Sequence, residues 1–126
     1  MYRKLFIGIR IFFGIFLLVF GFDHFFNYLP FPQMSPEANA YFAALLSTGV
    51  MQIVGLIEIL AGIAFLVNRF GAIMSLFLMS VSVNAVLFHI SLDPDKIIIA
   101  LLLLALNVLM LFYYKNQFKQ LLKPRI

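Results

Sequence analysis

Four long apolar runs separated by short polar breaks set the pattern of this chain. They are LFIGIRIFFGIFLLVFGFDHFF over 5–26, GVMQIVGLIEILAGIAFLVN over 49–68, GAIMSLFLMSVSVNAVLFHI over 71–90 and IIIALLLLALNVLMLFYY over 97–114. A bilayer-spanning helix needs about 20 predominantly apolar residues, so each run is read as a span. Basic residues precede the first run, but it is too long for a signal segment and has no small-residue cleavage site, so it is expected to be retained. Between the first two runs, Pro30 and Pro32 favour extended backbone. Ser35 then offers an N-cap with Pro36 at the first helical position, which predicts a short helix over about 36–47. Its Tyr41, Phe42, Leu45 and Leu46 place it against the mouth of a bundle or make it an extension of the second span. The remaining connections, NRF and SLDPDK, are minimal. The expected fold is all-α: an integral membrane four-helix bundle forming one domain over 1–126, with the short helix on the extracytoplasmic side.

Composition strengthens the membrane reading. Of 126 residues, 64% are hydrophobic and only 11% charged, and the mean hydropathy is +1.07. With no cysteine in the chain, thiolate catalysis, iron–sulfur ligation and covalent haem attachment by this chain are excluded. Charge supplies orientation. Arg3, Lys4, Arg69, Lys115, Lys119, Lys123 and Arg125 fall on one side of an up-down bundle, and the other side has Lys96 beside Asp93 and Asp95. The positive-inside rule then puts both termini in the cytoplasm. The net charge of +4 is mainly a topology signal, and the basic tail fits anionic headgroups instead of nucleic acid.

Ionisable residues inside a bilayer are expensive and need a protein or water environment. Glu58 falls near the midplane of the second span, and Arg10 enters the first span from the basic side, so an intramembrane Arg10–Glu58 ion pair is expected. Arg10, Gly14, Leu17, Gly21 and His24 share one helical face, as do Gly55, Glu58, Gly62 and Arg69, and the glycines allow close approach. The pair either fixes only the register of two helices or takes part in function. In the third span Ser75, Ser82 and His89 form one stripe, with Ser80, Asn84 and Ser91 nearly opposite, a pattern that interhelical hydrogen bonding explains. His89 lies near the outer end, level with Asp23 and His24, and Gln52 is close by. Asp23, His24, Gln52, Asn84 and His89 are the candidate ligand-binding set for a polar vestibule that handles protons or receives a quinone or lipid head. The competing reading is ordinary interfacial placement. Asn84 and His89 stand about 140° apart on a helix, so they share a ligand only if it enters beside the third span. The phenylalanines of FDHFF and FH are candidates for an apolar wall. Haem ligation by His24 and His89, or a metal site adding Asp23 and Glu58, lacks any supporting spacing, so no metal is assigned.

These features together resemble the DoxX and DoxX-like small bacterial membrane proteins. The resemblance rests on Arg10 in the first span, GFDHFF from Gly21, EILAG from Glu58, NRFG from Asn68 and VNAVLFHISLDP from Val83 to Pro94. It covers nearly the whole chain. His24 stands where many relatives have lysine, so a fixed positive charge is not implied there. The resemblance implies four spans in a bacterial cytoplasmic membrane and an accessory role beside a redox enzyme, with a quinone or another lipophilic ligand in the bundle. A self-contained membrane enzyme or transporter, with Glu58, His89 and Asp23 moving protons, is the alternative. A purely structural subunit, alone or as a homo-oligomer, is the third reading.

Overall fold

The computed structural model describes residues 2–26, 28, 35–92, 94 and 97–119. Every regular element among them is helical: α1 (Tyr2–Phe26), α2 (Pro36–Thr48), α3 (Val50–Val67), α4 (Gly71–Leu92), α5 (Ile98–Tyr113) and a closing 3-10 turn, Lys115–Phe118. Three helices are long and apolar enough to cross a membrane, over Arg3–Phe26, Val50–Val67 and Gly71–Leu92. The fourth apolar run forms a helix shorter than expected. With 16 residues, α5 rises roughly 24 Å at 1.5 Å per residue, less than the hydrocarbon thickness of about 30 Å. Pro30, Pro32, Asp93, Asp95, Lys96, Lys123 and Arg125 lie outside the described residues.

Local chemistry sets the helix ends. Ser35 takes extended backbone, its hydroxyl accepts from the Ala38 amide at 3.2 Å, and Pro36 opens α2. The same hydroxyl donates to the Leu92 carbonyl at 3.0 Å, which fastens the start of α2 to the end of α4. At Gly49 the backbone turns left-handed (φ 84°), so α2 ends there and is separate from α3. A side chain at this φ would be strained, which is why glycine suits the break. Asn68 ends α3 in the same region at φ 55°. Its carboxamide oxygen accepts from the Tyr114 hydroxyl at 3.0 Å. That tie needs a glycine at position 71, where a Cβ would fall 2.2 Å from the Tyr114 oxygen.

Packing brings α1 against α3 and α4 against α5, with α3 also meeting α4 and α2 lying across one end. The α1–α3 contact is built on the glycine faces seen in the sequence. A Cβ on Gly14 would lie 3.0 Å from the Gly62 carbonyl oxygen, one on Gly62 2.9 Å from that of Gly14, and one on Gly55 3.1 Å from that of Gly21. Two glycines seven residues apart on each antiparallel helix therefore meet twice, and the backbones come close enough for broad dispersion contact. The hydrophobic core gathers Phe13, Leu17, Ala61, Phe65, Leu78, Val81, Leu103, Leu106, Met110 and Tyr114. Phe65 lies between the stacked rings of Phe13, at 5.4 Å, and Tyr114, at 6.3 Å.

Between α4 and α5 a polar seam crosses this core. The Ser82 hydroxyl reaches Asn107 Oδ1 at 2.7 Å, and Asn107 Nδ2 donates to the Ser75 carbonyl at 3.0 Å. All three side chains are fully buried, so their hydrogen bonding removes a penalty that unsatisfied groups would carry. Thus α5 has a packed face of Ala100, Leu103, Leu106, Asn107 and Met110 in addition to its exposed wall. The outward faces of the helices are strongly apolar: Phe12, Ile15, Ile53, Leu60, Ile73, Phe77, Leu87 and Phe112 are all exposed.

Candidate functional site

Between the α1–α3 pair, the α4–α5 pair and α2 lies a cavity of about 440 Å³ to which all five helices contribute. Helix α1 gives Phe16, Phe20 and His24, one turn apart, while α2 closes a side with Tyr41, Phe42 and Leu45. Tyr41 stacks on Phe88 at 5.4 Å, which joins α2 to the α4 wall. Val54, Ile57 and Glu58 come from α3, and Leu103 marks the α5 side. Most of the wall is apolar, and the polar side chains upon it are His24, Tyr41, Glu58, Ser80, Asn84 and His89. This is the usual composition of a site for a lipophilic molecule, in which a few polar groups orient an apolar body.

The polar centre is a carboxylate–imidazole pair. His24 Nε2 lies 2.9 Å from Glu58 Oε1, with side-chain exposures of 22% and 6%. This corrects the expected Arg10–Glu58 pair. Arg10 is buried, but its Nη1 donates to the Phe65 carbonyl, toward the opposite end of the α1–α3 interface. Its Nε has no hydrogen-bond partner. The reason is antiparallel register: Gly21 meets Ile59 and the side chain of Glu58, while Gly55 meets His24, so Glu58 lies level with Gly21 and its side chain, leaning toward the start of α3, reaches His24 about one turn past Gly21. Arg10 lies about three turns away, beyond the reach of its side chain.

Of the five candidate ligand residues, His24, Asn84 and His89 line the cavity, and Asp23 and Gln52 do not. Gln52 is exposed. On α3 the lining positions 50, 51, 53, 54, 57 and 58 spread over about 160° of the helix, and position 52 points about 180° from their centre. Asp23 is half-buried. Asn84 and His89 do share the cavity, because α4 turns a face about 180° wide toward it, spanning Ser80, Val81, Asn84, Ala85, Phe88 and His89. Asn84 Nδ2 donates to the Ser80 carbonyl at 2.9 Å, which directs the amide back along its own helix. Of the phenylalanines considered, Phe88 lines the cavity, while Phe22, Phe25 and Phe26 are exposed.

Sequence reasoning missed the lining role of Phe16, Phe20 and Ser80. The i, i+4, i+8 spacing of Phe16, Phe20 and His24 was the available signal for α1. For α2, Tyr41, Phe42 and Leu45, three of the residues expected to face the bundle mouth, line the cavity. Among the described residues, no group of three or more histidines and carboxylates is placed to hold a metal ion.

No family model, curated protein or solved structure matches this chain. The class that the structure itself defines is a helical protein with three helices compatible with a membrane and a largely apolar cavity bearing a part-buried carboxylate–imidazole pair.

Proposed function

We propose that this is a four-span integral membrane protein of the bacterial cytoplasmic membrane that binds a lipophilic ligand in its cavity as an accessory subunit of a redox complex. The observation that carries the binding part is the cavity of about 440 Å³ with His24 and Glu58 on its wall. Its volume falls in the range of small-molecule sites, roughly 300–1,000 Å³. A quinone fits the chemistry: a flat apolar ring packs among Phe16, Phe20 and Phe88, and His24, Asn84 or His89 donates to its carbonyl oxygens. The exposed apolar faces of α1, α3 and α4 meet lipid in this arrangement, and α5 spans with Tyr114 and the turn after it extending its reach. Both termini then lie with Arg69 in the cytoplasm, and α2 lies on the outer side. The accessory role beside a redox enzyme rests on the resemblance to DoxX-like proteins.

The test is mass spectrometry of lipids and quinones that remain with the protein after purification in mild detergent, followed by melting with short-chain quinones. A bound quinone raises the melting temperature by mass action. The parent protein is expected to gain stability, and His89→Ala to gain less while staying folded. An equal shift in both removes His89 from the site. No retained molecule and no shift with any ligand leave a purely structural subunit.

A further inference from the structure

The distribution of charge along the fold points to the kind of head group that the cavity receives. The chain has five acidic residues. Three of them, Asp23, Glu37 and Glu58, belong to the half of the fold that holds the cavity, on α1 near His24, in the first turn of α2 and on the cavity wall. Asp93 and Asp95 fall in the connection between α4 and α5, outside the described residues. The described cations gather at the other end: Arg3, Lys4 and Arg10 in the first half of α1, Arg69 after α3, and Lys115 and Lys119 after α5. Among the described residues, no lysine or arginine lines the cavity.

We propose that the cavity binds a lipophilic cation, a molecule with an apolar body and a protonated amine that Glu58 receives. This rests on the ligand-binding reading above and narrows it. The Glu58 carboxylate is buried, and its Oε1 engages His24. A carboxylate carries about four acceptor positions on two oxygens, so the contact with one imidazole nitrogen leaves acceptor capacity toward the cavity. An ammonium group placed there gains a charge-assisted hydrogen bond and compensates a negative charge held away from water. A carboxylate or phosphate head places a second acidic group against Glu58, with no lysine or arginine among the described lining residues to offset it, at a cost that grows in an apolar wall. Among the described residues, His24 on α1, Tyr41 on α2 and His89 on α4 are the remaining titratable groups on the wall, and the α5 contribution, Ile99, Ala100 and Leu103, is apolar. The buried cation Arg10 is committed to the Phe65 carbonyl at the other end of the helix pair.

The experiment compares decylamine, decanol and decanoate, which share a tail and differ in head charge. Each is titrated against the purified protein in lipid nanodiscs, with 1:1 adducts counted by native mass spectrometry. The expected order is amine, alcohol, carboxylate, with the amine bound about tenfold more tightly than the alcohol, the factor that one ion-pair contribution of about 1.4 kcal/mol provides. Glu58→Gln is expected to bring the amine down to the level of the alcohol and leave the alcohol unchanged. Equal binding of amine and alcohol by the parent protein overturns the proposal even if Glu58→Gln fails to fold, as does an amine preference that survives in a folded Glu58→Gln. Ala85→Phe, which fills the cavity wall opposite Glu58's helix, is expected to weaken all three. If none of the three binds, the cavity reading itself fails, whereas binding regardless of head charge removes only the cation.

Discussion

At the scale of single residues, Glu58 shows how a buried charge finds its partner. Both long basic side chains and histidine are candidates when only depth is known, and Arg10 has the longer reach. Register favours His24, which lies about one turn from the level of Glu58 across the α1–α3 contact and meets its carboxylate at 2.9 Å. A double-mutant cycle separates the two choices. His24→Gln and Glu58→Gln are expected to be non-additive in unfolding free energy, with a coupling of about 0.5–3 kcal/mol for residues in contact. Arg10→Met and Glu58→Gln are expected to add within about 0.5 kcal/mol, because distant sites without shared partners behave independently. Coupling between Arg10 and Glu58 as large as that between His24 and Glu58 contradicts the register described above. The measurement is reversible unfolding in mixed micelles.

At the scale of helices, the decisive contact is α1 on α3, and small residues make it. Because Gly62 faces the Gly14 carbonyl at a distance no Cβ tolerates without movement, 2.9 Å, Gly62→Ala must push the backbones apart. The expected loss is about 1–3 kcal/mol, the usual cost of overpacking. Gly8 is the internal control on the same helix, since a Cβ there has nothing within 4 Å. Gly8→Ala is expected to be neutral or to stabilise by up to about 1 kcal/mol through helix propensity alone. Thermal melting of the two variants side by side decides the matter, and equal effects would mean that glycine acts through backbone entropy instead of close approach. Glycine spacing and apolar periodicity made both helices and their shared face legible in sequence. The bounds of α5 were legible to within one residue at each end, Ile98–Tyr113 against the expected 97–114, because the charged DPDK and KNQ segments flank the apolar run.

For the whole molecule, the proposed membrane reading makes a topological prediction. The chain lacks cysteine, so single cysteines report position without background. Glu37→Cys, at an exposed site in the first turn of α2, is expected to react with an impermeant thiol reagent in intact cells. Asn116→Cys, exposed in the turn after α5, is expected to react only after the membrane is opened. The reverse pattern inverts the orientation and places the cavity mouth on the cytoplasmic side.

The sequence by itself determined the helices, the separating role of the polar breaks, the start of α2 at Ser35–Pro36 and the glycine faces of α1 and α3. These are local or periodic properties, written in residues three to seven positions apart, where helix geometry fixes neighbours. Tertiary structure decided the rest. His24 and Glu58 are 34 positions apart, and their pairing follows from the sliding register of two helices, which a shift of one turn would replace with another partner. Gln52 and Asp23 share the level of the cavity in sequence but not its wall, since depth along a helix leaves azimuth open until neighbours are placed. The cavity itself is lined by residues from all five helices, and no single segment carries that information.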